Sequence, residues 1–309
     1  MPIDHFRAQQ FGRLELLARQ AVEGFITGLH KSPYHGFSVE FAEHRAYNTG
    51  ESTRHIDWKL YGRTDKMFVK RFEEETNLRC FICIDRSGSM FYPKRSEGDA
   101  PNKIRFSIQS AASLIYLMRT QRDAVGLSFI GKGLEQTTPA KSSSVHHSYL
   151  FTLLEQEYAQ LEGADQSDIV ASLHNLAEQV HKRSLIVIFS DFVDSTMRGE
   201  ADQQQLFEAL QHLRYNKHEV VLFHVMDKST EVDLELDNRP HTFIDMETGE
   251  RVKAQPHELK KAYKQAREKR INEIKLKCRQ FHIDWVETDI QEGVNRVLER
   301  FLAKRSRLH

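Results

Sequence analysis

Cysteine is scarce in this chain: three residues, an odd number, which excludes a scaffold held by disulfides and suits a reducing compartment. Long hydrophobic runs are missing too. The longest, such as Leu185-Ile186-Val187-Ile188-Phe189, fall far short of the roughly 20 residues that span a bilayer. No sign of charge dominates, with 44 basic against 44 acidic residues, so nothing global draws the chain to nucleic acid or to an anionic membrane. The start, Met1-Pro2-Ile3-Asp4-His5, lacks the basic-then-apolar pattern of a secretory leader. A soluble, cytoplasmic protein is expected, with neither nucleic acid nor membrane as partner. Several catalytic signatures are absent as well: no G-x-S-x-G elbow, no phosphate loop, no G-x-G-x-x-G and no H-E-x-x-H among sixteen histidines.

What is present is ordinary globular material. The 309 residues are 39% hydrophobic and 28% charged, enough for one large domain or two modest ones. Phe11, Leu14, Leu17, Ala18, Ala21, Phe25 and Leu29 recur at helical spacing, so residues 8 to 30 read as one amphipathic helix. A β-rich, charge-paired stretch follows to about residue 76, broken by the turn Asn48-Thr49-Gly50-Glu51. It holds Trp58, read as a core residue.

From residue 77 the chain turns regular. Strands are expected at 78–84, 125–130, 185–189, 220–225 and 282–286. Helices are expected at 104–118, 146–161, 168–181, 203–214, 257–280 and 290–303. Alternation of this kind predicts an α/β fold with a doubly wound, mainly parallel sheet, and the fully apolar strands agree with burial on both faces. Residues 1–76 therefore form an N-terminal helix and β-rich extension, and 77–309 the α/β domain. Within the latter, 231–256 read as a β-hairpin excursion. The basic helix at 257–280 reads as a solvated face. Cys80 and Cys83, though spaced C-x-x-C, point to opposite faces of a strand, and His146-His147 reads as a helix-surface feature.

The chemistry concentrates in Phe81-Ile82-Cys83-Ile84-Asp85-Arg86-Ser87-Gly88-Ser89-Met90. A buried strand stops at an aspartate, and two hydroxyls follow at spacings of two and four. In open α/β folds such a strand end faces the binding crevice. Oxygen donors without thiolate or imidazole suit a hard cation. Two more segments reach the same edge. Asp191 follows the strand 185–189, and Ser167, read as a helix N-cap, opens the helix after Gly163. Asp85, Ser87, Ser89, Ser167 and Asp191 together offer only oxygen and two formal charges. Mg²⁺ (or Mn²⁺) held largely by neutral hydroxyls stays electrophilic and should attract a carboxylate from another molecule.

Asp85-x-Ser87-x-Ser89, a later hydroxyl and a strand-end Asp resemble the metal-ion-dependent adhesion site of von Willebrand factor A domains. Upstream, Arg45-x-Tyr47-x-x-Gly50-Glu51-x-x-Arg54-x-Ile56-Asp57-Trp58-Lys59, Arg63 and Arg71-Phe72-Glu73-x-Glu75 resemble the signature of the bacterial family catalogued as domain of unknown function fifty-eight. Asp123-Ala124-Val125-Gly126-Leu127 and Ser190-Asp191-Phe192 fit the same family, so the likeness runs from about Gly36 to beyond Val225. It implies a von Willebrand A-like domain, a metal-dependent protein-binding module rather than an enzyme, and a MoxR-type AAA+ ATPase as partner in assembly or maturation of other proteins. Two residues depart from the pattern. Ser167 stands where Thr is usual, and Arg86 occupies a position usually small or uncharged. Turned inward, its guanidinium would compete with a cation.

The rival reading is a divalent-metal-dependent, phosphatase-like hydrolase using Asp85. Such enzymes place a second carboxylate two residues on as acid/base, and here that residue is Ser87.

Overall fold

The computed structural model describes residues 13–30, 44–47, 58–70, 78–93, 101–160, 168–180, 183–192, 200–237, 239–244 and 251–305. The chain forms two compact units, one of residues 1–26 with 78–309 and one of residues 27–77.

In the smaller unit, β1 (His44–Ala46) pairs antiparallel with β2 (Phe68–Lys70), joined by α2 (Trp58–Thr64); the long helix α1 (Arg13–His30) comes before them in the chain and belongs for most of its length to the larger unit. Tyr47 N–H donates to the Met67 carbonyl at 2.9 Å and extends the pairing. Trp58 is not a core residue. It is 61% exposed and meets Tyr61 edge to face, with ring centroids 6.1 Å apart. Most of the arginine-rich signature around it, from 48 to 57 and from 71 to 77, lies outside the described residues.

The larger unit is built on a six-stranded sheet. In chain order its elements are β3 (Arg79–Asp85), α3 (Lys103–Thr120), β4 (Ala124–Ile130), β5 (Leu134–Glu135), α4 (Ser144–Tyr158), α5 (Ile169–Gln179), β6 (Leu185–Ser190), α6 (Glu200–Tyr215) and β7 (Glu219–Met226). They continue with β8 (His241–Ile244), β9 (Arg251–Ala254), α7 (Pro256–Gln280), β10 (Asp284–Asp289) and α8 (Asn295–Arg305). The strand order is β10-β7-β6-β3-β4-β5, parallel except for β5. The alternation of β and α seen in the sequence thus becomes an α/β fold with a mainly parallel central sheet.

Strand residues alternate between the two faces. Phe81, Cys83, Ile186, Ile188, Val220 and Leu222 share one core with the apolar stripes of α5, α6 and α7. The intervening positions face α3, against which α4 and α8 pack. Cys80 and Cys83 are both buried and in no disulfide, on opposite faces, and burial pushes the Cys83 thiol up to about 12, so the C-x-x-C is packing. His146 and His147 differ from the surface expectation: both are buried, and His146 Nε2 donates to the Val125 carbonyl at 2.9 Å. They face the sheet because α4 packs on α3 through the side that carries Leu150 and Leu154.

The interruption after β7 is a π-helical turn, Lys228–Val232. The antiparallel pair β8–β9 follows, with His241 opposite Ala254, so the hairpin is shorter than 231–256. Among the described residues no helix is long and apolar enough to cross a membrane.

Candidate functional site at the switch point of the sheet

The chain leaves β3 for β4 on one side and later enters β6 on the other. The crevice between the carboxyl ends of β3 and β6 is therefore the topological switch point, where open α/β sheets bind their ligands. Ile84 pairs with Phe189, which puts Asp85 abreast of Ser190 and leaves Asp191 one residue beyond the neighbouring strand.

Asp85 is 3% exposed. Its Oδ2 accepts from Ser190 Oγ at 2.6 Å, and its Oδ1 accepts from Ser87 N–H at 2.9 Å. Ser87 and Ser89 face each other, hydroxyl to hydroxyl at 3.1 Å, across a single 3₁₀ turn, Gly88–Phe91, anchored by the buried Met90 and Phe91. Burial first, and then the nearby Asp191 carboxylate, raise Asp85 to about 6 against the opposing pull of Ser190 and Ser87. Two buried carboxylates at one strand edge are short of positive charge on the Asp85 side.

On the Asp191 side the positive charge is built in. Lys103, the first residue of α3, is 1% exposed, and its Nζ donates to Asp191 Oδ2 at 2.7 Å and to Glu231 Oε1 at 2.6 Å. Burial disfavours its charged form, but Asp191 and Glu231 more than offset this and hold the ammonium above its ordinary pKa. Burial raises Glu231, with Lys103 opposing. Glu231 reaches in from the π-helical turn, its Oε2 accepting from Asp227 N–H at 2.7 Å. Phe192, buried, takes a left-handed φ of 51° and donates its N–H to Ser190 Oγ at 2.9 Å. A bulky residue in that region is uncommon, and it turns the chain sharply after Asp191. His224, abreast of Ser190, stacks on Trp285 at 4.9 Å; burial, aided by Arg267, pushes it down to about 4, so it stays neutral.

Asp85, Ser87, Ser89 and Asp191 thus come to one edge, whereas Ser167 lies outside the described residues. The N-cap of α5 is Asp168, not Ser167: its side chain accepts from Ala171 N–H at 2.8 Å. Asp168 N–H donates to the Gly131 carbonyl at 2.9 Å, just past the end of β4, so this helix starts at the same sheet edge. Arg86 does not turn toward the hydroxyls. Its guanidinium pairs with Glu135 at 2.9 Å and Glu157 at 2.7 Å, leaving the ligand turn free of its charge.

Lys103 and Glu231 escaped the sequence reading. A signal for the first existed: a lysine at the first position of a helix opposes the macrodipole, so it needs anionic partners. Glu231 carried no such mark.

The donor set suits a hard divalent cation. Asp85 and the facing Ser87 and Ser89 hydroxyls are all oxygen, and Asp85 is raised first by its burial and then by the Asp191 carboxylate nearby. Among the described residues no group of three or more His, Cys, Asp or Glu is arranged to hold a metal, so hydroxyls would form part of its shell.

Residues 43–273 match the family described as "Protein of unknown function DUF58", and the chain belongs to it. Uncharacterised proteins of Mycobacterium bovis and Mycobacterium tuberculosis are 25% identical over 217 residues, covering 69% of this chain. The match spans 63% of those relatives' own length. Among solved structures, the conserved hypothetical protein BatB of Bacteroides thetaiotaomicron is similar at 13% identity and a TM-score of 0.42, covering 74% of this chain and 99% of that one. An aerotolerance-related membrane protein of Bacteroides fragilis is similar at 17% identity and a TM-score of 0.37, covering 71% and 99%. Likeness at those scores carries no argument about this chain.

Proposed function

We propose that the protein is a non-enzymatic, metal-dependent protein-binding module of von Willebrand A-like type, working in the cytoplasm with a MoxR-type AAA+ ATPase in assembly or maturation of other proteins. The observation that carries this reading is the meeting of Asp85 and Asp191 at the switch point, with the Ser87 and Ser89 hydroxyls facing each other beside them.

Asp85, Ser87 and Ser89 would hold Mg²⁺ (or Mn²⁺), with Asp191 and Ser167 completing the donor set. When bound, the cation supplies an electrophilic centre for an incoming carboxylate. Asp191 already shares its charge with Lys103, so little protein charge is left to saturate a cation, which favours an acidic side chain from a partner. Ser190 fixes the Asp85 carboxylate, and the anchored 3₁₀ turn holds the two hydroxyls toward it. For the hydrolase alternative a second carboxylate is wanted beside Asp85, and Ser87 stands there.

Purified MoxR-type ATPase from the same organism, pulled down on the immobilised protein with and without EDTA, tests the reading. Recovery should fall with chelator and with Ser87→Ala. Equal recovery throughout would place the contact elsewhere. Turnover of phosphate-ester substrates that disappears in Asp85→Asn would revive the hydrolase.

A further inference from the structure

A second recognition feature lies at the far side of the sheet, where β10 is the edge strand. A cavity of about 360 Å³ runs beside it, touched by five successive residues, Ile283 to Glu287. Successive strand residues point to opposite faces, so a cavity that meets all of them reaches the strand's edge, and it extends over one face as far as Val221 of the neighbouring β7. Its walls are helical stripes: Lys275 and Arg279 from α7, and Arg296, Arg300 and Lys304 from α8. α7 covers one face of the sheet, through Ile271, Ile274 and Cys278. α8 packs with α3 over the other.

The charges in this groove do not cancel. The acids that line it are Asp284 and Glu287. Lys275 pairs with Glu287, and Lys304 pairs with Asp284 at 3.0 Å and Glu219 at 2.7 Å. Arg296 is paired with the exposed Glu292 at 2.8 Å. Arg279 and Arg300, both exposed and one on each wall, have no ion-pair partner among the described residues. An unpaired strand edge offers a row of N–H and C=O groups to any extended chain that can reach it, and here two guanidinium groups without an ion-pair partner among the described residues flank that row.

We propose that the β10 edge is a docking groove for an acidic, extended peptide segment of another protein, which adds as a further strand and places its carboxylates against Arg279 and Arg300. Backbone pairing along an edge gives affinity with little sequence demand, and the flanking guanidinium forks select carboxylate side chains. A second copy of this chain is a poor occupant, because two β10 edges would bring like-charged arginines together. The groove is independent of the metal-binding reading, since none of its residues belongs to that site.

The probe is a fluorescein-labelled hexapeptide of alternating Glu and Val, matching the six residues of β10, read by fluorescence anisotropy on the full chain. Binding should weaken with salt, fall about tenfold in Arg279→Glu/Arg300→Glu, and be absent for the Lys-Val counterpart. Two versions N-methylated on alternate residues, one for each peptide edge, separate strand addition from mere charge attraction. At least one should lose binding, and amide exchange across 284–289 should slow with the parent peptide alone. Circular dichroism of the charge-reversed variant guards against misfolding. Absence of binding, undiminished binding by both N-methylated versions, or equal competition by inorganic phosphate would overturn the proposal. The last two would leave only a surface that attracts anions.

Discussion

The two aspartates at the switch point sit one strand apart at the same depth, yet they are satisfied in opposite ways. Asp85 is held by neutral donors, a serine hydroxyl and a backbone N–H. Asp191 is held by a buried ammonium that it shares with Glu231. One half of the site is electrostatically unfinished and the other is closed. A parallel sheet brings any two strand-end residues together at its carboxyl edge. Whether they can take a cation is decided by what the loops and helix starts bring beside them. The closed half also fixes the geometry of the open one, since Lys103 ties α3 and the π-helical turn to the end of β6.

The sharpest way to break this contrast is to remove the built-in cation. Lys103→Met leaves the buried Asp191 and the half-buried Glu231 without their counter-charge, and breaking a buried pair in this way costs about 3–5 kcal/mol. Urea unfolding should show a loss of that size, largely recovered in Lys103→Met/Asp191→Asn/Glu231→Gln. A loss under about 1 kcal/mol would mean that the ammonium does not complete this half.

A smaller effect is expected at Arg86. Its ion pairs with Glu135 and the buried Glu157 are structural, so Arg86→Ala should lower stability by about 1–2 kcal/mol, the cost of an unpaired buried acceptor. Mg²⁺ affinity should be unchanged. A rise in affinity would show that the guanidinium reaches the hydroxyl turn in solution and that the open half is partly closed.

The smallest effect concerns pH, and it removes a contribution that belongs to neither half. His147 on α4 is buried, and neither ring nitrogen has a hydrogen-bond partner among the described residues. Burial, with His146 and Arg119 adding, pushes it from 6.5 down to about 4. The unfolded chain therefore takes up a proton that the folded one refuses, and stability falls as pH drops through that window. His147→Leu should flatten this part of the pH profile, followed by thermal unfolding between pH 7.5 and 4. An unchanged profile would assign the acid sensitivity to the other histidine that burial holds down to about 4, His224.

Much of this was legible in the sequence. The apolar runs ending in Asp85 and in Ser190-Asp191 marked the strand ends, and βα alternation made them parallel neighbours of one edge. The helices fell within a few residues of their expected spans, because their apolar faces are dictated by the sheet they cover. What could not be read is what depends on long-range packing. Glu231 is far from Lys103 in sequence and sits in a turn that no periodicity announces. His147 looks polar but lies on the side of α4 that packs inward. Trp58 looks like core, yet it opens a short helix and is exposed there. The N-cap at α5 moved from Ser167 to Asp168, a one-residue shift that helix-start signals do not resolve.

The account rests on the open half taking a divalent cation, and isothermal titration of Mg²⁺ into the protein, beside Asp85→Asn and Lys103→Met, tests that most directly. The intact protein should bind one Mg²⁺, Asp85→Asn should bind none while keeping its circular dichroism, and Lys103→Met should bind more tightly, its second carboxylate having been released. Titrations of the intact protein and of Asp85→Asn that are superimposable would contradict the account.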